Sequence, residues 1–188
     1  MNSSIENYKN DVISHYSDNW GTDFMEKMEF YGPIGQLVPK FSVLEYAPNS
    51  SRDMWIYATS GISTYTHLSP VEIHLFSAIQ DHSIFEILSA LCYYHNIEAN
   101  LNLGHTVNFG RSWQGESKSF YGLISLPYLD GPDLEIMNKT GREVHFYWLI
   151  PITKEEVDYK MSHGLEALEL KFDENHFNYL DPNRVSIV

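Results

Sequence analysis

The sequence of 188 residues contains little cysteine and little positive charge. Its one cysteine, Cys92, excludes an internal disulfide framework and a multi-cysteine zinc site. Because Cys92 lies inside an apolar run, we expect it to be a buried small hydrophobic residue, not a nucleophile. Only 12 Lys and Arg oppose 25 Asp and Glu, so the net charge is −13. Such a surface repels nucleic acid and anionic lipid, and it suits a basic protein partner or solubility alone.

Long hydrophobic runs are also missing. No window approaches the roughly 18 apolar residues of a membrane span. The amino end, MNSSIENYKNDVISHY, has neither a basic region nor a continuous apolar stretch, so we expect no signal peptide. These absences predict a cytoplasmic protein that binds neither membrane nor nucleic acid. Aromatic residues are plentiful instead, and 13 Tyr and 10 Phe indicate one packed domain over residues 1–188.

The periodicity of apolar residues predicts helices on either side of a run of strands. Capping boxes at Ser83–Glu86 and Thr153–Glu156 each mark the start of a helix, and Gly164 can end the second one. The predicted helices cover 4–18, 84–94, 154–163 and 165–172, and the predicted strands lie within 40–48, 53–61, 69–79, 105–110, 120–128 and 144–152. This order indicates an α+β fold, a single domain with a mixed, largely antiparallel sheet flanked by helices.

The strand within 69–79 raises the question of a metal site. Its apolar residues alternate with Glu72 and His74, which would share one strand face and could begin such a site. No second close pair of ligands accompanies them, so we expect partly exposed polar residues on a sheet that has one dry face. We therefore predict no metal and no cofactor, and a hydrolase that uses Glu72 and His74 is the weakest alternative.

Other catalytic patterns also fail. Ser112 and Ser117 lack the flanking glycines of a nucleophile elbow. The glycines in this part of the chain form neither a P-loop nor a dinucleotide fingerprint, because no helix follows them and no lysine is placed to meet a phosphate. We expect no catalytic residue here.

The order of four segments resembles the suppressor of fused domain family. The segments are DMWIYATSGIS, SPVEIHLFSAI, LGHTVNFGRSWQGESKSFYGLISLPY and REVHFYWLIPITKEEVDYKMSHGLEAL. The third has a Gly and a His entering a strand, a hairpin, and a Glu-Ser pair before an apolar strand. The fourth runs from an apolar strand into an acid-rich helix and then a glycine. The resemblance covers about residues 40–182 and matches only the amino-terminal lobe of the two-lobed animal protein.

This resemblance implies a mixed α+β fold and binding instead of catalysis. Single-domain bacterial members are understood as immunity proteins, each neutralising a toxin encoded beside it. In this context the segment 104–117 is a hairpin between core strands. Its structural residues are glycines that supply positive φ, an anchoring indole, and a Glu-Ser pair that bonds the turn backbone: Gly104, Gly110, Gly115, Trp113, Glu116 and Ser117.

We therefore expect a cognate toxin as the partner, encoded by an adjacent gene and possessing a basic surface such as that of a nuclease. A general scaffold domain with a non-toxin partner is the alternative. Residues 157, 165 and 168 should point inward on the last two helices, which leaves acids on the solvated side. The expected partner-binding residues are these acids: Glu155, Glu156, Asp158, Glu166 and Glu169.

Overall fold

A computed structural model of the chain describes residues 2–28, 40–62, 70–139 and 143–188. Within these ranges the helices are α1 (Asn2–Trp20), α2 (Ile84–Ile97), α3 (Pro132–Glu135), α4 (Lys154–His163) and α5 (Leu165–Glu174). The strands are β1 (Met25–Lys27), β2 (Ser42–Tyr46), β3 (Trp55–Ser60), β4 (Val71–Ser77), β5 (Thr106–Asn108), β6 (Tyr121–Ser125), β7 (Ile136–Met137) and β8 (Val144–Ile152).

All described strands belong to one sheet. Its order is β1-β2-β3-β4-β8-β6-β5, and the short β7 pairs with β8. Neighbouring strands are antiparallel except for β4 and β8, which run parallel. A parallel pair needs a long connection, which here contains α2, β5, β6, α3 and β7. The α+β class with a mixed, largely antiparallel sheet is thus confirmed.

One face of the sheet, which we call the α2 face, packs against α2. Ile73 and Leu75 of β4 point to this face and join one apolar cluster with the helix and Trp113. Cys92 is buried in this cluster, as expected, and burial raises the pKa of its thiol. The contribution of α2 is a stripe of buried side chains at helical spacing: Ile84, Ile87, Leu88, Leu91 and Cys92.

The opposite face, which we call the α1 face, is covered by α1, α3 and α5. Phe76 of β4 belongs to this second cluster, and Glu72 and His74 point the same way, towards Tyr8 and Trp20 of α1. The expectation that Glu72 and His74 are partly exposed is wrong, because both are fully buried. Alternation placed them correctly on one face, but a helix distant in sequence covers that face.

The two predicted capping boxes differ in outcome. Thr153 and Glu156 form theirs, since each side chain accepts a hydrogen bond from the other residue's backbone N–H. The box at Ser83 and Glu86 is absent, because Ser83 has helical backbone angles and makes no capping bond through its side chain. The turn begins earlier, where the Ser83 N–H donates to Asp81 Oδ1 over 2.9 Å.

Candidate partner-binding surface

The start of α4 is fixed by the capping box, and the same residues close the end of the chain. The Thr153 N–H donates to Glu156 Oε2 over 2.8 Å, and the Glu156 N–H donates to Thr153 Oγ1 over 3.4 Å. Arg184 adds two short bonds to the Glu156 carboxylate, of 2.6 and 2.7 Å. The Ile187 N–H donates to the same carboxylate over 3.2 Å.

Glu156 therefore does not lie on the solvated side of α4. Its side chain is fully buried, and that of Arg184 is nearly so. The guanidinium carbon of Arg184 also lies 4.3 Å from the centre of the Phe177 ring. The expectation of an exposed Glu156 is wrong because helical spacing does not reveal a chain end that folds back over the helix. Glu156 has a structural role and presents no charge to a partner.

Three of the five predicted acids are exposed. Glu155, Asp158 and Glu166 lie at the surface of α4 and α5. The pKa of Glu155 is lowered, first by a hydrogen bond with its own backbone N–H and then by the Thr153 hydroxyl, as expected at a helix amino end. Asp158 pairs with Lys154 one turn away. Glu155 and Glu166 remain as accessible carboxylates on consecutive helices.

Glu169 differs from the other acids because it is partly buried. Ser125 Oγ donates to its Oε1 atom over 3.3 Å, and Tyr128 OH donates to the same atom over 3.4 Å. Burial raises the pKa of this carboxyl, and the negative charges of Asp173 and Glu166 add to the effect. Glu169 thus stands at the boundary between the core and the surface.

Glu169 forms part of a groove of about 600 Å³ on the α1 face, which we call the α5 groove. Trp148 and Ile150 of β8 line it from the sheet. Its other lining residues come from the end of β6 and the loop after it, from α5 and from the segment after α5: Ser125, Tyr128, Leu129, Glu169, Phe172, Asp173, His176, Phe177 and Tyr179. Five of the eleven lining residues are Phe, Tyr or Trp and two are carboxylates, a composition typical of protein-binding pockets with a charge preference.

A second groove, of about 780 Å³, runs between α2 and the edge strand β5, and we call it the α2 groove. Exposed Tyr93 and Tyr94 line it together with the acids Glu86 and Glu98. This groove contains a cation of its own, because Arg111 pairs with Glu86 over 3.0 Å.

The segment 104–117 leads from the start of β5 into the loop that joins it to β6. Gly104, Gly110 and Gly115 have φ of 76°, 70° and 50°, which glycine adopts without strain. Trp113 is 1% exposed and packs in the apolar cluster of the α2 face. Between the paired strands β5 and β6, its N–H donates to the Ser119 carbonyl over 3.1 Å. These contacts give the segment a structural role.

The Glu-Ser pair of this segment follows the prediction in one residue and departs from it in the other. Ser117 Oγ accepts a hydrogen bond from the Ser119 N–H over 3.0 Å, and the Ser117 carbonyl accepts one from Ser112 Oγ over 2.7 Å. Glu116 is exposed, and within the described ranges its carboxylate bonds no turn amide. Its expected role in the turn is wrong, because Ser117 already accepts the amide that closes the loop.

Hydrogen-bond donors of α1, of β3 and of the residues after β3 enclose Glu72. Tyr8 OH, Thr59 Oγ1 and the Gly61 N–H donate to its carboxylate over 2.9, 2.7 and 3.0 Å. Burial raises the pKa of Glu72 to about 7, against the lowering effect of these bonds. This carboxylate ties α1 to β3 and β4, and it has no route to a substrate while α1 is in place.

His74 lies beside an ion pair of the buried Asp130 and the partly buried Arg52, which sequence reasoning missed. Arg52 donates to Asp130 Oδ1 over 2.7 Å, Trp20 Nε1 donates to the same atom over 2.7 Å, and His74 Nε2 lies 3.5 Å from Asp130 Oδ2. Burial lowers the pKa of His74 to about 4 although Asp130 opposes the shift, so the ring is neutral at pH 7. Arg52 and Asp130 lie in unrelated loops, and no pattern in the sequence connects them.

Neither a metal centre nor a membrane span emerges from the part of the chain that the structure describes. No three His, Cys, Asp or Glu side chains come together there as a metal-ion site. No described helix combines the length and the apolar character needed to cross a bilayer.

The fold defines the class, an α+β domain with one sheet covered by helices on both faces. The family model of suppressor of fused protein matches residues 38–185. A crystal structure of a suppressor of fused homologue from Neisseria gonorrhoeae is 35% identical, with a TM-score of 0.86 and coverage of 97% of this chain and 98% of that one. The chain belongs to the suppressor of fused family. No curated protein matches the sequence.

More distant structures share the fold. The Sufu–Fu complex has a chain that is 12% identical, with a TM-score of 0.72 and coverage of 96% of this chain and 92% of that one. Drosophila Suppressor of Fused is 13% identical, with a TM-score of 0.70 over 94% of this chain. This chain spans 50% of the Drosophila protein.

Proposed function

We propose that this protein is a non-enzymatic immunity protein that binds and neutralises a cognate toxin in the cytoplasm. The observation that carries the proposal is the net charge of −13 in a member of this family, with accessible carboxylates at Glu155 and Glu166. An acidic surface speeds encounter with a basic partner and occupies the surface that such a partner needs for phosphate. A basic nuclease encoded by an adjacent gene is the toxin that this charge suits best.

Two further observations support binding over catalysis. One of the solved structures with this fold is a complex of Sufu with Fu, so the fold can present a protein-binding surface. Glu72 and His74, the pair that a hydrolase would use, are both fully buried under α1. A substrate would reach them only if that helix moved away.

The test is expression of the neighbouring gene with and without this protein. We expect loss of growth when the neighbour is expressed alone, rescue when both are expressed, and a stable complex on co-purification. A harmless neighbour, or a toxic one that this protein neither binds nor neutralises, would contradict the immunity proposal.

A scaffold domain with a non-toxin partner is the second candidate, and the Sufu–Fu structure is the observation that favours it. Co-purification without any growth phenotype would support this candidate. In that case the same acidic surface serves regulation instead of neutralisation.

A further inference from the structure

The α5 groove combines carboxylates with aromatic rings, and among its described lining residues there is no Lys or Arg. Of the described residues that line the groove, none is Lys or Arg, while Glu169 and Asp173 are both carboxylates. Both hydrogen bonds to Glu169 end on Oε1, which leaves Oε2 available to a donor in the groove. Mutual repulsion of the two carboxylates contributes to the raised pKa of Glu169.

The aromatic side chains of the groove add a second attraction for a cation. Trp148 and Tyr179 meet edge to face, with ring centres 5.0 Å apart. Tyr128 is 58% exposed and has no stacked aromatic neighbour within the described ranges. The negative face of an aromatic ring attracts a guanidinium or an ammonium group, most strongly where water is partly excluded.

Two internal arginines show how this part of the molecule binds a guanidinium. Arg52 pairs with Asp130 over 2.7 Å, and its guanidinium carbon lies 5.5 Å from the Phe76 ring centre. Arg184 pairs with Glu156 and lies 4.3 Å from the Phe177 ring centre. Each arginine thus has a carboxylate on one side and an aromatic ring on another.

The α5 groove adjoins the aromatic rings that both of these arginines contact. The Phe76 ring contacts Tyr179 of the groove, with 6.1 Å between ring centres, and Phe177 is itself a lining residue. The groove therefore repeats the combination of carboxylate and ring without an arginine from this chain. The α2 groove differs, because Arg111 already occupies that position opposite Glu86.

We propose that the α5 groove captures an arginine side chain of the partner protein, with Glu169 and Asp173 as acceptors and Trp148, Tyr128 and Tyr179 as the aromatic walls. Arginine fits better than lysine, because its planar guanidinium stacks on rings and can bond two carboxylates at once. This inference rests on the proposed function only for the basic character of the partner. It identifies the surface and the side chain through which such a partner docks.

The test is a titration with N-acetyl-arginine methylamide, followed by NMR at the Trp148 indole. We expect saturable shifts with a dissociation constant in the millimolar range, as for a small single-site ligand. N-acetyl-citrulline methylamide has nearly the same shape without the charge and should cause no saturable shift. A Glu169→Gln, Asp173→Asn double variant should weaken arginine binding about tenfold or more, because two charge-assisted bonds are lost.

The matched control is a Glu155→Gln, Glu166→Gln double variant, which removes the same charge from the same two-helix region outside the groove. It should bind the arginine probe like the parent protein. Equal shifts with the citrulline probe, no shift with the arginine probe, or equal weakening in the control would overturn the proposal. The growth test separates the two hypotheses, because rescue without arginine binding would retain the immunity function and reject this groove.

Discussion

The α2 groove and the α5 groove are similar in size and in aromatic content, but they differ in charge balance. In the α2 groove, Arg111 pairs with one of the two lining acids, Glu86, and Glu98 is the other. In the α5 groove, Glu169 and Asp173 have no Lys or Arg among the described lining residues. The two grooves therefore differ in that the α2 groove contains an arginine of this chain, whereas the α5 groove contains neither Lys nor Arg among its described lining residues.

The largest expected effect concerns the loop that carries Arg111 to the α2 groove. Trp113→Ala should lower the free energy of unfolding by about 3 to 5 kcal/mol, because a fully buried indole leaves a cavity. Urea denaturation measures this loss. Phe120→Ala is the control, since Phe120 belongs to the same loop but is 41% exposed. Similar melting of the two variants would mean that Trp113 does not anchor the loop.

The wall of the α5 groove depends on the chain end that Arg184 fastens. Arg184→Ala should lower the free energy of unfolding by about 3 kcal/mol, because it leaves the buried Glu156 carboxylate without its ion-pair partner. Lys171→Ala is the control, since it breaks an exposed pair with Glu174 and should not change the midpoint of thermal unfolding measurably. If Arg184→Ala were as harmless as Lys171→Ala, the chain end would not be fastened as described.

The buried carboxylate of Glu72 predicts that the stability of the fold depends on pH. The pKa of Glu72 is raised to about 7 in the folded protein from 4.5, so its contribution to stability is complete below 4.5 and is lost as the pH rises to about 7. The contribution of His74 to stability changes with pH in the opposite direction. Its pKa is lowered from 6.5 to about 4, and its contribution is lost as the pH falls through that range.

A Glu72→Gln variant isolates the first contribution. The difference in unfolding free energy between parent and variant should change between pH 5 and pH 7, with the parent losing relative stability as the pH rises. Chemical denaturation at several pH values measures this difference. A constant difference across the range would show that the Glu72 pKa is not raised in the folded state.

The smallest expected effect is kinetic. A Glu155→Lys, Glu166→Lys variant should slow association with the basic partner several-fold and change dissociation less, because exposed charges act mainly on encounter. The defect should shrink with added salt. Glu98→Lys in the α2 groove is the control and should slow association less. An unchanged association rate at low salt would place the interface away from α4 and α5.

The sequence predicts the fold well because its signals are local. The alternation in β4 and the Thr153–Glu156 capping box depend on neighbours a few residues apart, and both were confirmed. Helical spacing also placed Glu155 and Glu166 at the surface, where the structure has them. It failed for Glu156, whose burial depends on Arg184 at the far end of the chain.

The charge balance of the grooves could not be predicted from the sequence. Glu169 and Trp148 lie in separate elements, and nothing in their sequence neighbourhoods shows that they face a common space. The same holds for the partly buried pair of Arg52 and Asp130. Helical and strand periodicity assigns a residue to a face of its own element, whereas the packing of distant elements decides what covers that face.

Hydrogen–deuterium exchange of the protein alone and in complex with its co-purified partner tests the central claim most directly. If the α5 groove is the docking site, binding should slow exchange in Leu165–Glu174 and in the segment 175–180 that follows it. Exchange in Ile84–Ile97 and Thr106–Asn108, along the α2 groove, should stay unchanged. Slower exchange confined to α2 and β5, with none in α5, would contradict the account.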